Sequence, residues 1–172
     1  MDEYLATNRA NWDERGPAHA ASPGYEVERL LSGRSELSGV VEFDCPLLGD
    51  VTGLRGVHLQ CHIGTDTLSL QRLGAVMTGL DFSGASLAQA REIVARADEA
   101  IEFVEGTVDD AVVLLGREQF DLVYTGIGAI GWLPRIADWA QTVSDLLRPG
   151  GRLFIREGHP VLWSLADVEG VD

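Results

Sequence analysis

Beyond residue 55 the chain alternates between two hydrophobic rhythms. Short apolar runs fall at residues 56–61, 75–80, 101–105, 120–125 and 152–157. Between them, apolar positions recur at helical spacing over residues 65–73, 83–98, 109–115 and 134–147. Leu87, Ala90, Val94 and Ala97 share one helix face; Ile136, Trp139, Ala140, Val143, Leu146 and Leu147 share another. Short continuous apolar runs bounded by turn residues read as buried strands, and the longer pattern reads as helix. The punctuation agrees. Gly74 closes the first helix, and Ser83 offers its hydroxyl to the free amides that open the next. Pro134 suits a helix's first position, and Arg148-Pro149-Gly150-Gly151 stops that helix. Five strands alternating with four helices predict an α/β fold, an open parallel sheet with helices on both faces.

The first fifty residues follow a different pattern. Residues 3–17 read as a helix anchored by Trp12 and ended at Gly16-Pro17, because proline lacks the amide donor. Ser22-Pro23-Gly24 is a turn and residues 25–31 a second short helix. Residues 32–50 are irregular and read as a wrapping segment. The expected organisation is an N-terminal helical extension or lid over residues 1–50, followed by one globular unit over residues 51–172.

Charge narrows the function classes. The chain of 172 residues carries a formal net charge of −14. That argues against a protein that binds nucleic acid through its phosphates, which needs clustered Lys and Arg, and against an anionic membrane surface. Cys45 and Cys61 form no C-x-x-C and no zinc spacing, so they read as two buried thiols in a reducing compartment, and no metal is expected. The start, Met1-Asp2-Glu3-Tyr4, lacks the basic and apolar regions of a signal peptide, and no apolar run is long enough to span a membrane. The expected location is the cytoplasm.

Ligands in open α/β sheets bind beyond the carboxyl ends of the strands. Here those ends bring together Cys61-His62-Ile63-Gly64, Asp81-Phe82, Gly106-Thr107, Thr125-Gly126 and Glu157-Gly158-His159. Gly64 lets the backbone approach a ligand, and the helix opening at Thr65, Asp66 and Thr67 presents amides to an anion. Asp81 can accept from both hydroxyls of a ribose. Phe82, followed by Ser83, offers an apolar face to a purine, and Val108 and Asp109 can read its edge. His62 is a pocket wall; His159 is the candidate general base; His58, inside a strand, is structural; His19 faces either the site or solvent. Trp12, Tyr25, Trp132 and Trp163 are candidate walls of an acceptor pocket, with Gly128 and Glu157 as further acceptor contacts.

At this point residues 56–160 resemble the class I S-adenosylmethionine-dependent methyltransferases, in their small-molecule branch. Val57-His58-Leu59-Gln60-Cys61-His62-Ile63-Gly64 stands in the place of the family's glycine-rich first motif, and Leu80-Asp81-Phe82-Ser83 is similar to its acidic second motif. Phe120-Asp121-Leu122-Val123-Tyr124 resembles the fourth-strand motif, and Leu146-Leu147-Arg148-Pro149-Gly150-Gly151-Arg152-Leu153 the run before strand five. The N-terminal Asn8-Arg9-x-x-Trp12-Asp13-Glu14-Arg15 resembles the same branch.

The resemblance implies a Rossmann-like fold and transfer of a methyl group from S-adenosylmethionine to a small-molecule acceptor. It places Gln60, His62 and Gly64 at the methionine end, Asp81 on the ribose, Phe82 beside the adenine, and Thr107, Val108 and Asp109 at the adenine edge. Three departures stand out. Gln60 and His62 replace two glycines of the first motif, His58 replaces its acidic residue, and Thr107 replaces the acidic residue after strand three. The family also continues past strand five with a helix and an antiparallel strand pair that are missing before Asp172. Strand five is then a sheet edge for a second copy or a partner chain to cover. Two alternatives stay open: a truncated, non-catalytic cofactor-binding or interaction module, and an NAD-dependent oxidoreductase, since Asp81 suits an NAD ribose equally well.

Overall fold

The computed structural model describes residues 3–159 and 161. Trp163, Pro160 and the rest of the tail to Asp172 lie outside the described residues. Five strands form one all-parallel sheet in the order β3-β2-β1-β4-β5: β1 Arg55–Leu59, β2 Val76–Asp81, β3 Glu102–Glu105, β4 Phe120–Thr125 and β5 Leu147–Ile155. The order reverses between β1 and β4, so the crevice beyond their carboxyl ends is the expected ligand site.

Helices cover both faces. On one side, α6 (Ala111–Leu115) and α7 (Ile136–Leu146) pack on Val57, Leu59, Leu80 and Val123. On the other, α3 (Gly39–Leu48) and α4 (Thr65–Arg72) cover Met77, Leu122 and Tyr124. There too, α2 (Val27–Leu31) and α5 (Gly84–Arg96) enclose Cys61, Ile63 and Phe103. The residues preceding β1 therefore supply core side chains of their own. Cys61 is buried as expected, whereas Cys45 is half-buried; both are free thiols.

Four local expectations are corrected. The first helix, α1, spans Glu3–Ala21 and runs through Pro17. The missing amide costs one hydrogen bond, while Ala20 packs on the core and His19 is held by two partners. Residues 32–50 are not irregular throughout. Ser38 caps α3 by accepting from Val41 N at 3.2 Å, and the polar Asp44 that breaks its apolar pattern is 1% exposed. Asp44 takes the Tyr124 hydroxyl at 2.6 Å and pairs with Arg156. Pro134 stands before the N-cap Arg135 rather than at the first position of α7. Finally, β5 begins at Leu147, so the Arg148-Pro149-Gly150-Gly151 turn is part of an irregular strand start, with a register shift opposite Phe120 and Leu122. Among the described residues β5 pairs only with β4, so Pro149 leaves no ladder bond unmade on its other side.

Candidate active site

The loop after β1 carries an unusual backbone. Gln60 (φ 57°), His62 (φ 51°) and Gly64 (φ 74°) are all left-handed. Glycine enters that region freely, but each residue with a side chain there costs about 1–2 kcal/mol. Specific bonds hold the loop. Gln60 Nε2 donates to the Ala129 carbonyl at 2.9 Å, reaching across to the segment after β4. The His62 amide donates to Asp81 Oδ2 at 2.9 Å, and the His62 ring meets Ser86 Oγ through Nδ1 at 3.1 Å and His19 Nδ1 through Nε2 at 2.9 Å.

Asp81 closes β2 with 6% of its surface exposed. Its second oxygen accepts from the Ser83 amide at 2.9 Å. Burial pushes its carboxyl above the usual range, partly offset by the backbone amides of Ser83, His62 and Phe82. Each oxygen keeps a lone pair, and the residue borders the cavity beyond the strand ends.

That cavity encloses about 1220 Å³ of non-atom space, open solvent included. Of the residues singled out from sequence, it brings together Trp12, Tyr25, Gln60, His62, Asp81, Phe82, Thr107, Val108, Asp109, Gly128 and Trp132. Its walls also include Tyr4, Leu5 and Asn8 of α1 and Arg135, Asp138 and Trp139 around the start of α7. Only the tertiary fold brings these residues to the cavity. Arg9 of α1 stands behind Phe82 of the wall: its guanidinium lies 5.8 Å from the Phe82 ring centre and pairs with Glu105 at 3.2 Å.

Other candidates stand behind the wall. Gly64 packs on Ala90 and Phe103; a Cβ there would meet both at 2.9 Å. Asp66 accepts from Ser38 Oγ at 2.6 Å, and burial raises its carboxyl to about 6. Thr67 is fully buried against His58 Nδ1 at 2.9 Å, and burial lowers the His58 pKa to about 3. Ser83 caps α5 and donates to Asp13 at 2.7 Å, which ties α1 down. Thr125 is buried below the site. Glu157 accepts from the Gly128 amide at 2.7 Å, so it shapes the wall without lining it. His159, the expected base, is exposed, lies outside the cavity and accepts from the Val161 amide at 3.2 Å. Even Thr107, in the wall, has its hydroxyl committed to Asp110 at 2.7 Å.

A family profile described as a methyltransferase domain matches residues 57–153, more than half of the chain. The chain belongs to this family. It is similar to a malonyl-[acyl-carrier protein] O-methyltransferase of Enterobacter lignolyticus, 35% identical over 80 residues, 46% of this chain and 29% of that protein. A ubiquinone biosynthesis O-methyltransferase of Nitrobacter winogradskyi is 26% identical over 89% of this chain and 57% of its own length. Among solved structures, an S-adenosylmethionine-dependent methyltransferase from Mesorhizobium loti superposes with a TM-score of 0.56 at 33% identity, over 63% of this chain and 48% of that one. A Methanococcus maripaludis structure, 19% identical over 92% of this chain and 66% of that one with a TM-score of 0.63, shows the shared fold alone. The chain thus matches between 29% and 57% of the length of these curated relatives.

The Mesorhizobium loti neighbour is an S-adenosylmethionine-dependent methyltransferase. The residues present in this chain fit S-adenosylmethionine. Gln60 Oε1 is buried in the cavity wall without a partner among the described residues, an acceptor suited to an ammonium group. Asp81 supplies acceptors for ribose hydroxyls, and Leu80, Phe82 and Val108 supply apolar surface for a purine.

Proposed function

We propose that the protein transfers the methyl group of S-adenosylmethionine to a small-molecule acceptor in the cytoplasm. The observation that carries this reading is the convergence of Asp81 and the unpartnered Gln60 Oε1 on one cavity at the switch between β1 and β4. When bound, the cofactor supplies an electrophilic methyl on a sulfonium. The chain's own part is to hold that methyl and the acceptor in line and to exclude water, an arrangement that accelerates transfer without an obligatory base. Residues 1–50 serve as the cover: Tyr4, Leu5, Asn8 and Trp12 of α1 line the cavity. Two relatives are named as O-methyltransferases, which favours oxygen as the acceptor atom here. Trp12 and Trp132, edge to face at 5.2 Å, favour an aromatic or apolar acceptor body. Among the described residues β5 is last in the sheet order, and its outer side is the place for a second copy or a partner strand.

Titration calorimetry with S-adenosylmethionine and S-adenosylhomocysteine tests the reading. Binding of both, with the product raising the thermal midpoint, is expected. No heat and no midpoint shift at millimolar ligand refutes it.

A further inference from the structure

Two histidines, a tyrosine and a serine form one hydrogen-bonded line beside the cavity. His19 comes from the last turn of α1, Tyr25 from the short 3-10 turn after it, His62 from the loop after β1 and Ser86 from α5. His19 Nδ1 is 2.9 Å from both His62 Nε2 and Tyr25 Oη. His62 Nδ1 is 3.1 Å from Ser86 Oγ, which in turn lies 3.4 Å from the Trp12 carbonyl oxygen. The Tyr25 and His19 rings stack at 4.8 Å. Tyr25 and His62 line the cavity.

The closed end of this line fixes where its hydrogens point. The Trp12 carbonyl can only accept, so the buried Ser86 hydroxyl donates to it and accepts from His62 Nδ1–H. Both rings are held neutral: burial and Arg15 lower the His19 pKa, and burial and His19 lower that of His62 to about 4. A neutral His62 with its hydrogen on Nδ1 has a bare Nε2, and His19 Nδ1–H must donate to it. His19 Nδ1 then has no lone pair to offer, so the Tyr25 hydroxyl cannot donate to it and the hydrogen of Tyr25 is left over. Burial raises the Tyr25 pKa, so that hydrogen is retained.

We propose that Tyr25 is an oriented hydrogen-bond donor to a carbonyl or carboxylate oxygen of a molecule held in the cavity, with His19, His62 and Ser86 as its positioning residues. This rests on the cavity being the methyl-transfer site. The oxygen belongs either to the acceptor molecule or to the amino-acid end of the cofactor, and the two sources are separable.

Tyr25→Phe keeps the ring and removes the donor. The cofactor arm compares S-adenosylhomocysteine with methylthioadenosine, which lacks the carboxylate. The acceptor arm compares 3,4-dihydroxybenzoate with catechol on the protein saturated with S-adenosylhomocysteine. Calorimetry is expected to show about tenfold weaker binding of one carboxylate probe, the loss of one bond to a charged group, with its carboxylate-free partner unchanged. Indifference on both arms, or equal loss with and without the carboxylate, overturns the proposal. If the unaltered protein binds no S-adenosylhomocysteine, the methyltransferase reading fails and this proposal falls with it; if it binds and Tyr25→Phe changes nothing, only the proposal falls. A second readout needs no ligand. Nitrogen-15 NMR of the free protein is expected to find both His19 and His62 carrying their hydrogen on Nδ1. A hydrogen on Nε2 of either ring overturns the assigned polarity and the donor role of Tyr25.

Discussion

Asp81→Asn separates the two tasks of one carboxylate. In the folded chain its oxygens accept the His62 and Ser83 amides, both at 2.9 Å. Asparagine keeps one oxygen and turns an NH₂ toward the other amide, so one bond to a charged group is lost, worth about 1.5–3 kcal/mol. Against this, the substitution removes a buried charge whose desolvation outweighs its hydrogen bonds, as the upward pKa shows. The two effects oppose each other with similar size. The thermal midpoint of the free protein is therefore expected to move by only a few degrees.

The bound state has no such compensation. A ribose hydroxyl that donated to a carboxylate meets a neutral amide, and the loss of one such bond weakens S-adenosylhomocysteine about 10- to 100-fold. Calorimetry on the variant, with differential scanning of the free protein, measures both. Unchanged affinity refutes the ribose assignment. A collapse in midpoint with affinity retained makes Asp81 a staple for the loop and nothing more.

Three further outcomes are expected. Tyr124→Phe removes the 2.6 Å bond to buried Asp44 and lowers stability by about 1.5–3 kcal/mol in urea titration; no change means Arg156 alone satisfies that carboxylate. Gly16→Ala in α1 gains helix propensity, yet its Cβ meets the Ser86 backbone at 3.0 Å and Ser86 Oγ at 2.8 Å, so a lower midpoint is expected, and a higher one shows that α1 docks more loosely than described. Asp66→Asn concerns pH: a folded pKa of about 6 against 3.8 unfolded makes the acid's contribution to stability present at low pH and lost as pH rises through that interval. The variant is expected to exceed the unaltered protein in stability at pH 8 and to lose that advantage near pH 4, by urea midpoints; a constant difference refutes the burial argument.

The strands were legible because a two-sided parallel sheet writes itself as continuous apolar runs. Phe120–Thr125 falls where the pattern puts it, and Asp81 ends its strand one residue later than read. What was illegible depended on distant partners. Asp44 disguises α3 as irregular because the compensating Arg156 lies 112 residues away. Pro17 looked like a stop because the contacts that carry α1 past it are made with His62 and Tyr25. At the site, Gln60 came from the family resemblance, while the strand-end rule pointed to Asp81 and Val108, which line the cavity. It promoted His159 and Glu157 from strand position alone, although exposure and the Gly128 amide occupy them elsewhere. Tyr4 and Leu5 carry no local signal of a site, and Asn8 entered only as part of the N-terminal family motif. Their place follows from α1 docking on α5, which Gly16, Asp13 and Ser83 determine.

The left-handed Gln60 and His62 make the loop after β1 a poor graft. Transplanted into a relative with glycines at those positions, each side chain would bring its backbone strain but find no Ala129 carbonyl, His19 or Ser86 to offset it. Any stepwise conversion between the two kinds of loop is therefore ordered: the partners on α1 and α5 must be in place before the glycines are replaced, and on the way back the glycines must return first.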